Sequence, residues 1–412
     1  MRPLLDLILK RFIVLGRLSV RWPDGSISTY TGEPGSEAVI EVKDARTVRR
    51  LASNPALTVG EAYMDGGLVP VGCTIYDVLD VLMTNQSAQT GGNPILDLRQ
   101  AIGVATRRIA QFNPAGRSRR NVAHHYDLNG RLYSLFLDRD RQYSCAYFPR
   151  GDETIEDAQI AKKRHIAAKL LLNRPDLRVL DIGCGWGGLA LTLARDYGAR
   201  VTGITLSTEQ LAEAQARARA EGLDDRVTFE LMDYRSMTRS FDRIVSVGMF
   251  EHVGVGHYQQ FFEVVKRCLT PDGVALLHSI GRSDRPSSTN PWIAKYIFPG
   301  GYCPSLSEVF PAIERTGLIA TDVEILRLHY AETLRHWRRR FGANRDAIAT
   351  IYDERFCRMF EFYLAGSELA FRRQHHIIFQ LQITRDQTAV PLARDYITDT
   401  ERAAARGKRV DA

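Results

Sequence analysis

Residues Val179–Gly188 read VLDIGCGWGG: an apolar run of strand length, then Gly183, Gly185, Gly187 and Gly188, then a helical pattern, GLALTLARDYG, that glycine ends at Gly198. Glycines between a strand and a helix let the backbone turn tightly and approach a ligand at the helix N-terminus, where unpaired N–H groups meet it. The alternation continues outward from there. RVTGITLS (Arg200–Ser207) is a second strand, Thr208–Glu221 a helix, and RVTFELMDY (Arg226–Tyr234) and FDRIVSVGMFEHVG (Phe241–Gly254) begin as strands. YQQFFEVVKRCL (Tyr258–Leu269) is helical, and a Pro-Asp-Gly turn leads into the strand GVALLHSIG (Gly273–Gly281). Strands interleaved with helices predict an α/β fold with a doubly wound, mostly parallel, Rossmann-like sheet. Strands near Leu318–Arg327 and Ile377–Thr384 are expected to complete it around an apolar helix at Phe356–Arg373.

The placement favours a nucleotide-binding loop over a purely structural turn, and the surrounding residues narrow which nucleotide is expected. A dinucleotide site carries an acid at the end of the second strand, whereas here that strand ends at Thr205 in GITLS. The Lys-Ser/Thr of a phosphate loop is missing as well, which disfavours ATP. S-adenosylmethionine, a sulfonium without phosphate, fits what remains. Reacting groups in an open α/β sheet sit beyond the carboxyl ends of the strands. That rule selects Asp181, Thr205, Asp233, Glu251 with His252, and His278.

A chain of 412 residues has room for two domains. Residues 1–105 read as a smaller α+β unit, with a helix over Leu4–Leu18, a hairpin around the Pro-Asp-Gly turn of Leu18–Gly32 and a second helix over Thr74–Met83. Residues 106–125 read as a basic linker, and 126–412 as the catalytic domain. The six cysteines show no CxxC spacing, which points to reduced thiols, a cytoplasmic location and neither a disulfide scaffold nor a zinc site. No run reaches the roughly 20 apolar residues of a membrane span. The net charge is +7, with arginines clustered at Thr106–Arg120 and at Leu334–Phe341 beside aromatics, a pattern suited to an anionic surface.

With those residues in hand, the chain resembles the cyclopropane-fatty-acyl-phospholipid synthase family, related to the mycolic acid cyclopropane synthases. The resemblance rests on YSCAYF (Tyr143–Phe148), VLDIGCGWGG, GITLSTEQ (Gly203–Gln210), MFEHVG (Met249–Gly254), LLHSIG (Leu276–Gly281), WIAKYIFPGGYCPS (Trp292–Ser305) and HYAETLRHW (His329–Trp337). It implies a methyltransferase domain preceded by a lipid-engaging one. Tyr143, Ser144, Gly183, Gly185, Thr205, Leu206 and Gln210 match cofactor-contacting positions, as Gly187 does within the glycine loop, and Tyr234 and Arg235 match the adenine end. Cys145, Glu251, His278, Ile280 through its backbone, and Tyr330 match positions that hold a bicarbonate ion beside the transferred methyl. Family members commonly carry a cysteine where this chain has Ser367.

The implied reaction adds a methylene from S-adenosylmethionine to the cis double bond of an unsaturated phospholipid acyl chain. The alkene is the nucleophile, so Cys145 is expected to wall the anion pocket, and bicarbonate to serve as the general base. Tyr296, Phe298 and Tyr302 are expected along the acyl channel. A phospholipid substrate assigns the arginine clusters to headgroups and not to nucleic acid, with peripheral attachment at the inner face of the membrane. The resemblance also suggests a homodimer. Two alternatives stay open: a relative that makes a methyl- or methylene-branched chain, and a methyltransferase for a small molecule.

Overall fold

The computed structural model describes residues 1–88 and 130–406. They form two compact units. The first is built from residues 1–88 with Ser287–Pro299 and Tyr330–His376, the second from 130–286, Gly300–His329 and 377–406. The basic linker expected at 106–125, and the arginine cluster within it, lie outside the described residues.

In the first unit a helix over Arg2–Phe12 precedes four strands, β1 (Leu15–Arg21), β2 (Ile27–Thr31), β3 (Glu33–Val42) and β4 (Leu68–Pro70), in the order β2-β1-β3-β4. The turn between β1 and β2 closes as read from the sequence: Trp22 donates its N–H to the Ser26 carbonyl at 2.9 Å, and Gly25 takes a φ of 82°. Alternate residues Leu18, Val20 and Trp22 point to one face and are buried with Val78, Leu79 and Val81 of the helix Ile75–Ala88. The helix Glu354–Arg373 supplies Ala365 and Leu369 to that same core. This corrects one expectation: the apolar helix belongs to the first unit, and the seven-stranded sheet is not built around it.

A second long-range join sits within this unit. Trp292, 1% exposed, lies over Gly60, where an added Cβ would stand 2.5 Å from the indole Cδ1. Gly60→Val is therefore expected to destabilise the protein by about 1–3 kcal/mol through overpacking, read as a lower thermal midpoint.

The second unit holds β5 (Arg178–Ile182), β6 (Arg200–Thr205), β7 (Val227–Leu231), β8 (Phe241–Val247), β9 (Leu269–Arg282), β10 (Ile319–Ile325) and β11 (His376–Thr384), ordered β10-β11-β9-β8-β5-β6-β7. Pairs β5–β6, β6–β7, β5–β8 and β8–β9 are parallel, and β10–β11 is antiparallel. Val179 packs into the cluster on one face with Leu189 and Leu193, while Leu180 and Ile182 pack on the other with Phe250 and Phe262. Burial on both faces explains why these strands read as continuous apolar runs. Strand order reverses at β5, so a crevice opens beyond its carboxyl end. The Pro271-Asp272-Gly273 segment is not a free turn. Phe241 pairs with Leu269 and Arg243 with Val274, so β9 absorbs the extra residues as a bulge.

Candidate active site

The glycine loop leaves β5 at that crevice. Gly183 and Gly185 have φ of 85° and 55°, which L side chains rarely adopt, and the space where a Gly185 Cβ would stand is open. The N–H groups of Gly183 and Cys184 both donate to the Ile204 carbonyl at 3.0 Å, tying the loop to the neighbouring strand. Gly187 and Gly188 serve packing: a Cβ on Gly187 would lie 2.6 Å from the Phe229 ring, and one on Gly188 would lie 2.5 Å from an Asp140 carboxylate oxygen.

That last approach brings in the segment preceding YSCAYF. Asp138 accepts from the backbone N–H of Asp140 and of Gln142, at 3.0 and 2.8 Å, curling the chain. The helix Ile155–Lys169 then pins it. Lys162 donates from Nζ to Gln142 Oε1 at 2.7 Å and to Ser144 Oγ at 2.9 Å, Lys163 reaches Asp140 at 2.6 Å, and Gln159 donates to the Ser144 carbonyl at 3.0 Å. Lys162 is fully buried, and burial pulls its pKa down to about 8 although Asp138 opposes that shift.

Together these segments enclose a cleft whose empty space, open mouth included, is about 1180 Å³. Tyr143, Ser144, Gly183, Gly185, Thr205, Leu206, Gln210, Tyr234 and Arg235 all lie on its wall, and Gly187 does not. Thr205 Oγ1 donates to Gln210 Oε1 at 2.8 Å, fixing the end of β6. At the far end Arg235 grips Asp233 through Nε and Nη2 at 2.8 and 2.7 Å and lies over the Tyr234 ring at 5.6 Å. A flat aromatic face beside a bidentate pair suits a heterocycle.

Asp181 decides the charge of the other end. It is 2% exposed, its Oδ2 has no hydrogen-bond partner among the described residues, and burial pushes its pKa up to about 7. A buried acceptor aimed into a cleft fits a ligand that carries a cation, as the methionine portion of S-adenosylmethionine does. The sign of the consequence is definite. With a folded pKa above its ordinary 3.8, Asp181 adds stability that is full below that value and lost as pH rises through about 7. Ligand-free protein should lose up to about 4 kcal/mol from this group across that window. Asp181→Asn should flatten the slope, read by denaturant melts at pH 5 and pH 8.

Beside the cleft lies a second set of buried polar atoms. Glu251 stands in a tight turn after β8, and its Oε1 accepts from the Ile280 N–H at 2.6 Å while Oε2 has no partner among the described residues. Burial raises its pKa to about 7. His278, two residues before Ile280 on β9 and so on the same face, is 1% exposed. Its Nδ1 takes a hydrogen bond from Gln380 Nε2 at 3.1 Å, leaving the proton on Nε2, which has no partner among the described residues. Burial holds the ring neutral, its pKa well below the usual value. Gly248, on the cleft wall, donates to the His278 carbonyl at 2.9 Å.

The remaining candidates are placed as follows. Cys145 is 1% exposed, next to Ser144, with Sγ 3.2 Å from the Ala146 carbonyl. Tyr330 and Ser367 belong to the first unit: Tyr330 is buried edge-on to Trp337 at 5.8 Å, and Ser367 is half-buried on Glu354–Arg373. Of the aromatics expected along the acyl channel, Tyr296 donates to Glu61 at 2.9 Å and Phe298 meets Tyr363 edge-on, both in the first unit. Tyr302 is in the second, donating to Glu308 at 2.7 Å. In the Leu334–Phe341 cluster, Arg335 pairs with Glu332, and Arg338 pairs with Glu368 at 3.0 Å and lies over Tyr76. That commits at least two of its four arginines to internal partners.

A family model described as mycolic acid cyclopropane synthetase matches residues 114–381. The chain belongs to the mycolic acid cyclopropane synthetase family. A domain of unknown function, DUF7884, matches residues 6–92. The cyclopropane-fatty-acyl-phospholipid synthase of Escherichia coli K12 is 41% identical over 84% of this chain and 88% of its own length. The tuberculostearic acid methyltransferase UfaA1 of Mycobacterium tuberculosis is 33% identical over 90% and 88%. Among solved structures, mycolic acid cyclopropane synthase CmaA1 complexed with SAH and CTAB superposes with a TM-score of 0.62 at 34% identity, covering 66% of this chain and 98% of that one. As a member of the mycolic acid cyclopropane synthetase family, the chain is an S-adenosylmethionine-dependent methyltransferase. Sequence reasoning passed over Lys162, Gln142 and Trp186, because nothing in their spacing separates them from a solvated helix face or a packed ring.

Proposed function

We propose that this enzyme is a cyclopropane-fatty-acyl-phospholipid synthase, acting on the cis double bond of an unsaturated phospholipid chain. The observation that carries the reading is that Glu251, bonded to the Ile280 N–H, and His278, two residues before Ile280 on β9, each leave one buried polar atom without a partner among the described residues. S-adenosylmethionine, when bound, supplies an electrophilic methyl, and the alkene supplies the electrons that bond to it. The protein must then do two things: keep water from the electron-poor lipid carbon, and take one proton from the delivered methyl so that the ring closes. Its buried walls serve the first requirement. For the second, Glu251 and the Nε2–H of His278, with Cys145 alongside, would hold a bicarbonate ion, a proton acceptor in the right charge state. Since two adjacent anions resist coexistence, a Glu251 pKa near 7 suits a proton shared with that ion. The Ile280 N–H is already committed to Glu251, so its role in this scheme is to orient the carboxylate.

A homodimer attached peripherally to the inner face of the membrane is part of the same proposal. No helix among the described residues is long and apolar enough to cross a membrane. The test is incubation of purified protein with S-adenosylmethionine and unsaturated phospholipid vesicles, with the product read by NMR. A cyclopropane signal supports the proposal. A methyl or methylene branch would favour the second reading, which the 33% identity to a relative named as a methyltransferase motivates. Ser367→Cys is expected to leave the rate within about tenfold, roughly 1.4 kcal/mol in barrier, because the lipid is the nucleophile. A wild type that is dead until given the cysteine would overturn that expectation.

A further inference from the structure

The helix Arg2–Phe12 is apolar over more of its circumference than its own unit buries. At 100° per residue, Leu5, Leu9 and Phe12 fall within about 60° of one another and face the core of the first unit. Met1, Leu4, Leu7 and Ile8 occupy the adjoining stretch of roughly 120° and are 53%, 47%, 48% and 42% exposed. Of the eleven large hydrophobic side chains exposed among the described residues, these four and Val14 fall within the first fourteen positions. The stripe is held out and not frayed: Tyr30 donates to Asp6, Arg2 pairs with Asp24 at 2.5 Å, and the Arg2 guanidinium lies 5.1 Å from the Trp22 ring. Lys10 and Arg11, both exposed, close the last turn.

We infer that this helix is the element by which the protein sits on an anionic lipid surface, with Met1, Leu4, Leu7 and Ile8 entering the acyl boundary and Lys10 and Arg11 meeting headgroups. The inference rests on the lipid-substrate reading above. Charge and size argue for this occupant over a second copy. Lys10 and Arg11 in the last turn complement an anionic surface, and four side chains fall well short of the roughly 800 Å² per partner of a stable interface.

The test uses the full chain and vesicles of unsaturated phosphatidylcholine with or without phosphatidylglycerol. Leu4→Gln/Leu7→Gln/Ile8→Gln is expected to weaken partition onto the anionic vesicles at least tenfold and to slow turnover on them in step. S-adenosylmethionine binding, solution mass and turnover on detergent-dispersed lipid should be unchanged. A single Leu4→Trp, which asks little of folding, should shift its emission to the blue and be quenched by brominated lipid. Unaltered partition, an unquenched tryptophan, equal binding to neutral vesicles or a change of solution mass in the triple variant would each overturn the inference. A wild type that binds vesicles through this helix but forms no product would sink the substrate reading and leave the docking element standing.

Discussion

Glu251→Gln is expected to lower turnover about a hundredfold, the size typical of losing a positioned proton-transfer partner, while cofactor affinity and thermal midpoint stay near wild type. The substitution is nearly isosteric. The amide oxygen still accepts from the Ile280 N–H, so the turn after β8 keeps its 2.6 Å anchor, while the amide that replaces Oε2 carries neither a charge nor an exchangeable acid proton. What is lost is the carboxyl that is half-ionised near pH 7. If the group acts by holding bicarbonate, weaker binding is offset by mass action, and added bicarbonate should recover part of the rate. Cys145→Ser should behave as a mild member of the same series. Wild-type rates in rigorously bicarbonate-free protein would sink the scheme.

Deleting residues 1–105 is expected to destabilise the rest of the first unit, Ser287–Pro299 and Tyr330–His376. The deletion takes away Val20, Trp22, Leu79 and Val81, against which Ala365 and Leu369 are buried, together with Gly60 and Met64, on which Trp292 rests. Each large side chain so uncovered loses about 1.5–3 kcal/mol of burial, and a handful of them equals the whole stability of a typical domain. Limited proteolysis should find the segment Glu354–Arg373 protected in the full chain and cut within the truncated one. A truncated protein with that helix protected and a cooperative melt would show that the helix needs no N-terminal partner.

The sheet was legible because its strands are buried on both faces, which writes them as unbroken apolar runs between glycine and helix signals. Part of the cleft wall was legible for a related reason: Gly183 and Gly185 need backbone conformations that leave a mark in the sequence. Other features leave none. Lys162, Lys163, His165 and Lys169 look like the solvated face of Ile155–Lys169, yet all four are buried, each answered by groups distant in sequence such as Asp140, Glu324 and Glu401. The helix Glu354–Arg373 is amphipathic in a way that any apolar core satisfies, so periodicity alone set it beside the wrong sheet. Pro271-Asp272-Gly273 has the composition of a turn, and only the pairing of β8 with β9 makes it a bulge.

The discontinuity of the first unit also sets a schedule for the living cell. Its four-stranded sheet emerges from the ribosome early, but the helix that completes its core is not finished until residue 373 has been made. At roughly 5–20 residues per second, the half-built core waits on the order of 15 to 55 s while six strands of the seven-stranded sheet are being synthesised. An apolar surface left open for that long invites chaperone binding. Yield on expression should therefore respond to translation speed between residues 105 and 373 more than to codon choice in the first hundred.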